Sequence, residues 1–437
     1  MADILSLLLH GPLPARALMA QHGVSQATLS RTIAQNRQIM KFGNARATRY
    51  ALLRFIREEN AFPLWRVDET GRAHSAGTLW SVWPQGSYVL QNPEGEWAFY
   101  SGLPWFFNDM RPQGFLGGAW GRENAAQLSL SPDIRLWNED QILIALTQNG
   151  YDMPGNGLIG NPTWQRWLTH QIPEVVSCAE KALRYPALAA LALKGDEAGS
   201  SAGGEQPKFL CYTEDRGHCL VKFSSERDNE NSQRWRDLLR AEHHALSLLA
   251  QQGIDAAQSQ VTEANNQLFL EIARFDRIKQ RGRRAMVSLE AVSAEFIGQL
   301  NHWPDALRRL AQAKLVDQET VNQGSLQWAF GRLIANSDMH AGNLSFFCNN
   351  GKLCLTPVYD MLPMALAPNS VGHMRNSVTL TIDFTLPRAI WQCASIMAAA
   401  YWQWLAEDEQ FSEAFRAIAR QTMQQFPALD ATIAQMT

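Results

Sequence analysis

The passage IANSDMHAGNLSFFCNNGKLCLTPVYD, residues 334–360, constrains this 437-residue chain more than any other. Its middle, LSFFCNNGKLCL, sets two apolar runs around Asn349, Asn350 and Gly351, the residue types that close a tight hairpin. Asp338 and Asn343 stand just before that hairpin, and Asp360 stands just past the strand that follows it. A polar loop, a hairpin and a further carboxylate in this order imply three oxygen-bearing side chains converging on one cleft.

The four-residue gap between Asp338 and Asn343 is the D-x-x-x-x-N spacing of a kinase catalytic loop. In that reading the aspartate orients an acceptor hydroxyl and takes its proton, and the asparagine amide oxygen holds Mg²⁺. Asp360 has the place of the metal-binding aspartate, and hard oxygens with phosphate and water suit Mg²⁺. Taken singly, Asp338 reads as a helix cap and Asn343 as a turn residue. The order of the features is what departs from chance.

Two upstream segments extend the pattern. GSSAGGEQPKF, Gly199–Phe209, can turn backbone N–H groups towards a phosphate while Lys208 adds charge, although no Gly-Lys-Ser/Thr closes it into a Walker loop. A strand over Cys219–Phe223 carries Lys222, and a helix over Arg234–Gln251 carries Glu242, placed to pair with it as kinase-type enzymes require. An edge lysine and a solvated glutamate are the ordinary readings of these two residues.

The N-terminus has a different character. Residues 1–57 hold eight Lys/Arg against Asp3 alone, a net +7, so the rest of the chain is net −10 under an overall −3. A basic head on an acidic body suits attraction to a polyanion. LPARALMAQHGVSQATLSRTI reads as helix, turn at Gly23, and helix capped by Ser25. Leu18, Val24, Leu29 and Ile33 face inward, which leaves Gln26, Thr28, Ser30 and Arg31 on the side a helix-turn-helix offers to a major groove. The following KFGNARATRYAL, with Lys41, Arg46 and Arg49, reads as a basic wing for phosphate contacts. A helical hairpin used for dimerisation is the plainer alternative.

Residues 58–190, rich in Gly, Pro and Trp, read as a small β or α+β domain without evident chemistry, its tryptophans serving as core anchors. Six scattered cysteines without a Cys-x-x-Cys pair read as free thiols of a reducing compartment. No apolar run is long enough to span a membrane, and the expected location is cytoplasmic.

At SAGGEQPK, LVKFS, ARFDR, NSDMHAGN and TPVYD the chain resembles the HipA family of serine/threonine kinase toxins. The resemblance implies an α+β, two-lobed protein-kinase-like fold with a mostly helical C-lobe. It divides the chain into a winged helix-turn-helix at 1–57, the family's small N-terminal-like domain at 58–190, an N-lobe at 191–277 and a C-lobe at 278–437. It further implies ATP and Mg²⁺ as cofactors, a protein substrate, growth arrest on overexpression, and a small HipB-like antitoxin as a possible partner. A homodimer would let two heads read a palindrome.

By the same resemblance Asp338 is the catalytic aspartate, assisted by Lys222 and Asn343, and Asn343 and Asp360 hold metal. Gly203, Gly204, Glu205, Gln206, Pro207, Lys208 and Lys222 bind nucleotide, with Ala273, Arg274 and Phe275 as the adenine hinge and His340 and Tyr359 beside them. Ser201 matches the loop serine that autophosphorylates. On the residues alone, His340 reads as a packed histidine that holds its loop through the ring nitrogens. Two positions depart from the family: Gly342 replaces a basic residue and Ala273 replaces a glutamate. They motivate a second reading, a DNA-binding regulator whose catalytically weak kinase fold senses nucleotide. Phosphorylation of a small molecule is a third.

Overall fold

A computed structural model describes residues 4–171, 173–194, 206–298, 300–349 and 351–436. The chain divides into two compact units, one of Met1–Gln113 with Trp120–Gln171, the other of Gly114–Ala119 with Ile172–Thr437.

The first unit opens with α1 (Ile4–Leu8), β1 (Leu13–Pro14), α2 (Ala15–His22), α3 (Gln26–Gln35), β2 (Ile39–Phe42) and β3 (Arg49–Leu52). The strands form an antiparallel sheet in the order β1-β3-β2. Gly23 ends α2 at φ 73°, a conformation costly for any residue with a Cβ, and Ser25 caps α3 by accepting from the Thr28 N–H. The period-3/4 apolar residues Leu18 and Leu29 are fully buried, packed with Ile4, Leu8 and Tyr50 and with Trp83 from a turn beyond the head.

That sheet is antiparallel, ordered β7-β6-β5-β4-β8, from β4 (Ala61–Val67), β5 (Ala73–Val82), β6 (Ser87–Gln91), β7 (Trp97–Tyr100) and β8 (Gly157–Ile159). Helices α4 (Gly114–Leu128), α5 (Glu139–Asn149) and α6 (Asn161–Thr169) accompany it, and Leu143 and Leu146 of α5 pack with Phe62, Leu64 and Leu79. Trp65 stacks on Trp164 at 4.5 Å, and Trp80 and Trp97 pack on the buried Val82 and Val89.

Two of the eight head cations are spent inside this unit. Arg54 is buried, donating to both Asp140 oxygens at 2.6 and 2.8 Å, and Arg57 donates to the Leu128 carbonyl. Arg16, Arg31, Arg37, Lys41, Arg46 and Arg49 remain exposed. Thr28 is half-buried, its hydroxyl tied to Ser25 Oγ at 3.0 Å, and so is less available than Gln26, Ser30 and Arg31.

The second unit holds a five-stranded sheet ordered β12-β13-β11-β10-β9, built from β9 (Val175–Val176), β10 (Lys208–Thr213), β11 (Gly217–Phe223), β12 (Ser259–Ala264) and β13 (Gln267–Ala273). α7 (Lys181–Ala192) and α8 (Glu230–Gln251) belong to it, α8 starting one turn before the helix expected from sequence. The stretch 175–192, expected to close the preceding domain, is part of this lobe: β9 pairs in parallel with β10, and Lys181 of α7 meets Glu271 of β13 at 2.9 Å and Asp215 at 2.7 Å. Tyr185 donates to the same oxygen of that fully buried Glu271 carboxylate. Partners 34 and 90 residues away leave no local signature at Lys181.

A two-stranded ribbon, β14 (Arg277–Ile278) and β15 (Gly282–Arg283), leads to a sheet of β16 (Met286–Ser288), β17 (Ser345–Asn349) and β18 (Lys352–Leu355). The latter two are the hairpin read from sequence, paired from Phe346–Leu355 to Asn349–Lys352, although Asn350 at its turn lies outside the described residues. Helices α9 (Leu289–Phe296), α10 (Trp303–Gln312), α11 (Gln318–Leu333), α12 (Arg388–Glu407), α13 (Glu413–Met423) and α14 (Phe426–Ala434) make the rest, around buried Trp303, Trp391 and Trp402. The six cysteines are free, and among the described residues no helix is long and apolar enough to cross a membrane.

Removing one partner of a buried ion pair strands the other in a poor solvent. Arg54→Met is therefore expected to destabilise the first unit by about 3–5 kcal/mol, read as a lower urea midpoint in equilibrium unfolding.

Candidate active site

Strand alternation puts Lys208 and Lys222 side by side. They are register partners on β10 and β11, with Leu270 of β13 on the far side of Lys222. The Lys222 ammonium reaches both Glu242 oxygens, at 2.7 and 2.8 Å, and also Asp360 Oδ1. Lys222 and Glu242 are buried, and the Asp360 side chain is one-third exposed. One cation thus serves two carboxylates 20 and 138 residues away.

The charge states follow from that geometry. Burial opposes the Lys222 charge, but Asp360 and Glu242 together outweigh it and hold the ammonium above its ordinary range. Glu242, fully buried, has its carboxyl pushed up by desolvation despite Lys222. Burial also works against Asp360, yet Lys222 and Lys208, with His340, bring it below the usual carboxylate range. Asp360 is the ionised member, in a left-handed backbone conformation at φ 51°.

Asn336, to which the sequence reading gave no role, joins the parts. Buried at 4% exposure, it donates from Nδ2 to the Asp360 carbonyl at 3.0 Å and accepts at Oδ1 from the Asp338 N–H at 3.1 Å. Asn343 Nδ2 donates to the Asp338 carbonyl at 2.8 Å, and its amide oxygen has no hydrogen-bond partner among the described residues. Asp338 itself is exposed. The backbone at 338, 343 and 360 is thereby one hydrogen-bonded unit. An asparagine two residues before the aspartate was the available signal, but any local turn would have explained it.

The fit of a Mg²⁺ ion to these residues rests on donor chemistry. Asn343 has an amide oxygen without a partner among the described residues, and Asp360 an ionised carboxylate with one oxygen on Lys222. Among the described residues no group of three His, Cys, Asp or Glu could enclose a metal. Two hard oxygens fit an ion that completes its shell with phosphate and water.

His340 accepts the Gly342 N–H at Nδ1, 3.0 Å away, and its carbonyl accepts from Trp303 Nε1. A Cβ at 342 would come within 2.8 Å of the His340 ring, so a basic residue at 342 and this ring position exclude one another. Tyr359 donates to the Gly342 carbonyl at 2.8 Å, meets Ser345 Oγ at 2.7 Å and lies 5.7 Å from the Phe275 ring. Phe347 of the hairpin, unnoticed in the sequence, is edge-on to Phe275 at 6.0 Å.

At the expected adenine hinge, Ala273–Phe275, two backbone donors are engaged within the protein. The Ala273 N–H is taken by the Gln258 carbonyl and the Arg274 N–H by that of His218, both at 2.8 Å, so neither is open to a base. The Arg274 guanidinium lies on Asp276 at 3.1 Å. Gln206 donates to the Phe223 carbonyl and Pro207 accepts from the Phe223 N–H, which fixes the approach to Lys208. Ser201, Gly203, Gly204 and Glu205 lie outside the described residues.

The helix that carries Glu242 is riveted to the C-terminal half. Asp237 accepts from the Ser412 N–H and hydroxyl, and Tyr401 donates to the Ala241 carbonyl. Buried Arg234 donates to the carbonyls of Leu366 and Arg375 and to Asn376 Oδ1, at 2.8–3.0 Å. It thus clamps the irregular segment that follows Asp360.

A lobe of sheet plus acid-bearing helix, a helical lobe, and a lysine, aspartate and asparagine set on one hydrogen-bonded frame define a HipA-like, kinase-like α+β fold. The family described as HipA-like C-terminal domain matches residues 200–428, more than half of the chain, and the YjjJ-like toxin middle domain matches residues 58–168. The chain belongs to this toxin family. It is 46% identical to Toxin YjjJ of Escherichia coli (strain K12) over 441 residues, covering 100% of both chains. Among solved structures, a chain of the Shewanella oneidensis MR-1 complex of HipA, HipB and operator DNA matches at 16% identity and TM-score 0.49, covering 86% of this chain and 91% of that one. The Helicobacter pylori proinflammatory kinase CtkA matches at 10% identity and TM-score 0.37, over 56% of this chain and 96% of its own.

Lys222→Met leaves Glu242 and Asp360 without their shared cation. Glu242, already pushed up, is then protonated over a wider range in the folded chain than in the unfolded one, and that stabilising proton is lost as pH rises. The variant's stability deficit is expected to be larger near pH ~8 than near pH ~5, as measured by urea unfolding at both.

Proposed function

We propose that the chain is an ATP- and Mg²⁺-dependent serine/threonine protein kinase of the HipA toxin type that autophosphorylates on Ser201 and inhibits growth when overexpressed. The observation that carries this reading is Lys222 held between Glu242 and Asp360, with Asn336 binding the Asp338 loop to the same frame. Membership in the toxin family supports it.

Lys222, with Lys208 beside it, faces the nucleotide phosphates. Asp338, exposed on its loop, orients the serine hydroxyl and receives its proton as the hydroxyl oxygen bonds to the γ-phosphorus and the bond to the β-phosphate oxygen breaks, leaving ADP. Mg²⁺ held by Asn343 and Asp360 would neutralise charge on the phosphates. Positioning and electrostatics are the main terms in such a transfer. Tyr359, Phe275 and Phe347 form the apolar wall beside the hinge, where His340 completes the nucleotide surroundings. Phosphorylated Ser201 would set negative charge where the triphosphate must sit, an off-switch. The partners of this reading are an acceptor protein, a small HipB-like antitoxin and a second copy of the chain, in a cytoplasmic setting.

Incubation with labelled ATP and Mg²⁺ tests the chemistry. Label on Ser201 that disappears in Asp338→Asn supports transfer. Nucleotide binding with neither labelled protein nor ADP formation favours the nucleotide-sensing regulator, and ADP formation without labelled protein points to a small-molecule acceptor.

The head carries the second part, DNA binding used in autoregulation. Gln26, Ser30 and Arg31 lie exposed on α3, with Thr28 on the same helix, and Lys41, Arg46 and Arg49 are exposed along the β2–β3 hairpin. A recognition helix flanked by a basic wing suits one base-reading and several phosphate contacts. Binding of the full chain to its promoter is expected to weaken steeply with salt, and Lys41→Gln or Arg46→Gln to reduce the slope of log K against log salt by about 1 each. Gel-shift titrations at several salt concentrations check this, and salt-independent binding would remove the wing from the account.

A further inference from the structure

The first unit contains a cavity of about 570 Å³ that neither the catalytic reading nor the DNA reading uses. Its lining comes from both parts of the unit: His10, Gln21 and Arg49 from the head, Ser87 and Phe99 from the five-stranded sheet and Ser101 just past it, with leucine and proline residues also in the lining. We propose that this cavity is a binding site for a small aromatic carboxylate whose anionic group pairs with Arg49.

Charge selects the anion. Arg49 lines the cavity and no aspartate or glutamate does. The carboxylates that come close are already engaged: Glu139 lies within 4 Å of where side chains at Gly86 and Gly102 would begin, but it accepts from both Arg111 nitrogens and from the Leu103 N–H. Asp140 is held by Arg54 and the Tyr88 hydroxyl. Among the described residues none forms a hydrogen bond or ion pair with the Arg49 side chain, and its planar fork matches a carboxylate in two parallel bonds. The imidazole of His10, the amide of Gln21 and the hydroxyls of Ser87 and Ser101 supply further donors.

Shape selects the aromatic part. Phe99 is 37% exposed and lines the same cavity as Arg49. An apolar ring and a cation lining one cavity fit an amphipathic ligand better than a bare inorganic ion, which would leave the Phe99 ring wet. The volume holds a ligand of one or two rings.

Arg49 also gives the site a consequence, which rests on the DNA reading above. It lies on the middle strand of the head sheet, opposite Phe42 at the base of the wing and opposite Pro14 on the other edge. A guanidinium occupied by a ligand in the cavity is withdrawn from a DNA phosphate. Ligand and DNA then oppose each other, and by linkage the effect is reciprocal.

Equilibrium dialysis of the full chain with benzoate, and with benzyl alcohol as the uncharged counterpart, tests the site. Saturable benzoate binding at millimolar concentration, weaker for the alcohol and reduced about tenfold or more by Arg49→Gln, is expected. Phe99→Ala is expected to weaken benzoate binding while leaving DNA affinity in its absence unchanged. Benzoate should lower DNA affinity of the unmodified chain and not of Phe99→Ala. Absence of saturable benzoate binding, equal binding of the alcohol, or indifference to Arg49→Gln overturns the site. A chain that binds benzoate but no DNA leaves the site standing and removes only the DNA reading.

Discussion

One ammonium group organises the second unit. Lys222 draws Glu242 from the helix after its strand and Asp360 from beyond the hairpin, and without it a fully buried carboxylate and a partly exposed one would be left without their shared cation. Desolvation makes such an arrangement costly, so a folded chain keeps it only where geometry and further hydrogen bonds return the loss. Here the return comes from a frame that fixes backbone as well as side chains: Asn336 spans the loop and Asp360, and the left-handed turn at Asp360 aims its carboxylate at the lysine.

The two units solve different problems with the same means. In the first, Arg54 and Asp140 pair in a buried setting; in the second, Lys181, Tyr185 and Asp215 converge around Glu271 behind the sheet that carries Lys222. Val221 and Glu271 are register partners, one residue from Lys222 and Leu270. Alternation along β11 and β13 therefore assigns one face to the lysine of the site and the opposite face to the network that α7 closes.

Legibility in the sequence followed the range of the interactions. The hairpin, the helix-turn-helix segment with its Ser25 cap and Gly23 turn, and the helix bearing Glu242 are set by neighbours a few residues apart, and periodicity and turn chemistry reveal them. The spacing of Asp338, Asn343 and Asp360 was equally local. What escaped was long-range. Nothing near Lys181 announces Glu271, nothing near Arg54 announces Asp140, and Asn336 looks like any turn asparagine until Asp360 is placed beside it. The engagement of two donors at the expected hinge was illegible for another reason: whether the N–H groups of Ala273 and Arg274 are open depends on carbonyls at Gln258 and His218, on strands or loops that sequence patterns cannot align.

The anchoring of α8 has a bearing on how such a protein could be restrained. Arg234, Asp237 and Ala241 fasten the helix to residues 366–412, so the glutamate it carries cannot be swung away from Lys222 without breaking contacts across half of the lobe. A helix fastened this way has no second posture to relax into. Whatever alters the Lys222–Glu242 pair must act from outside it.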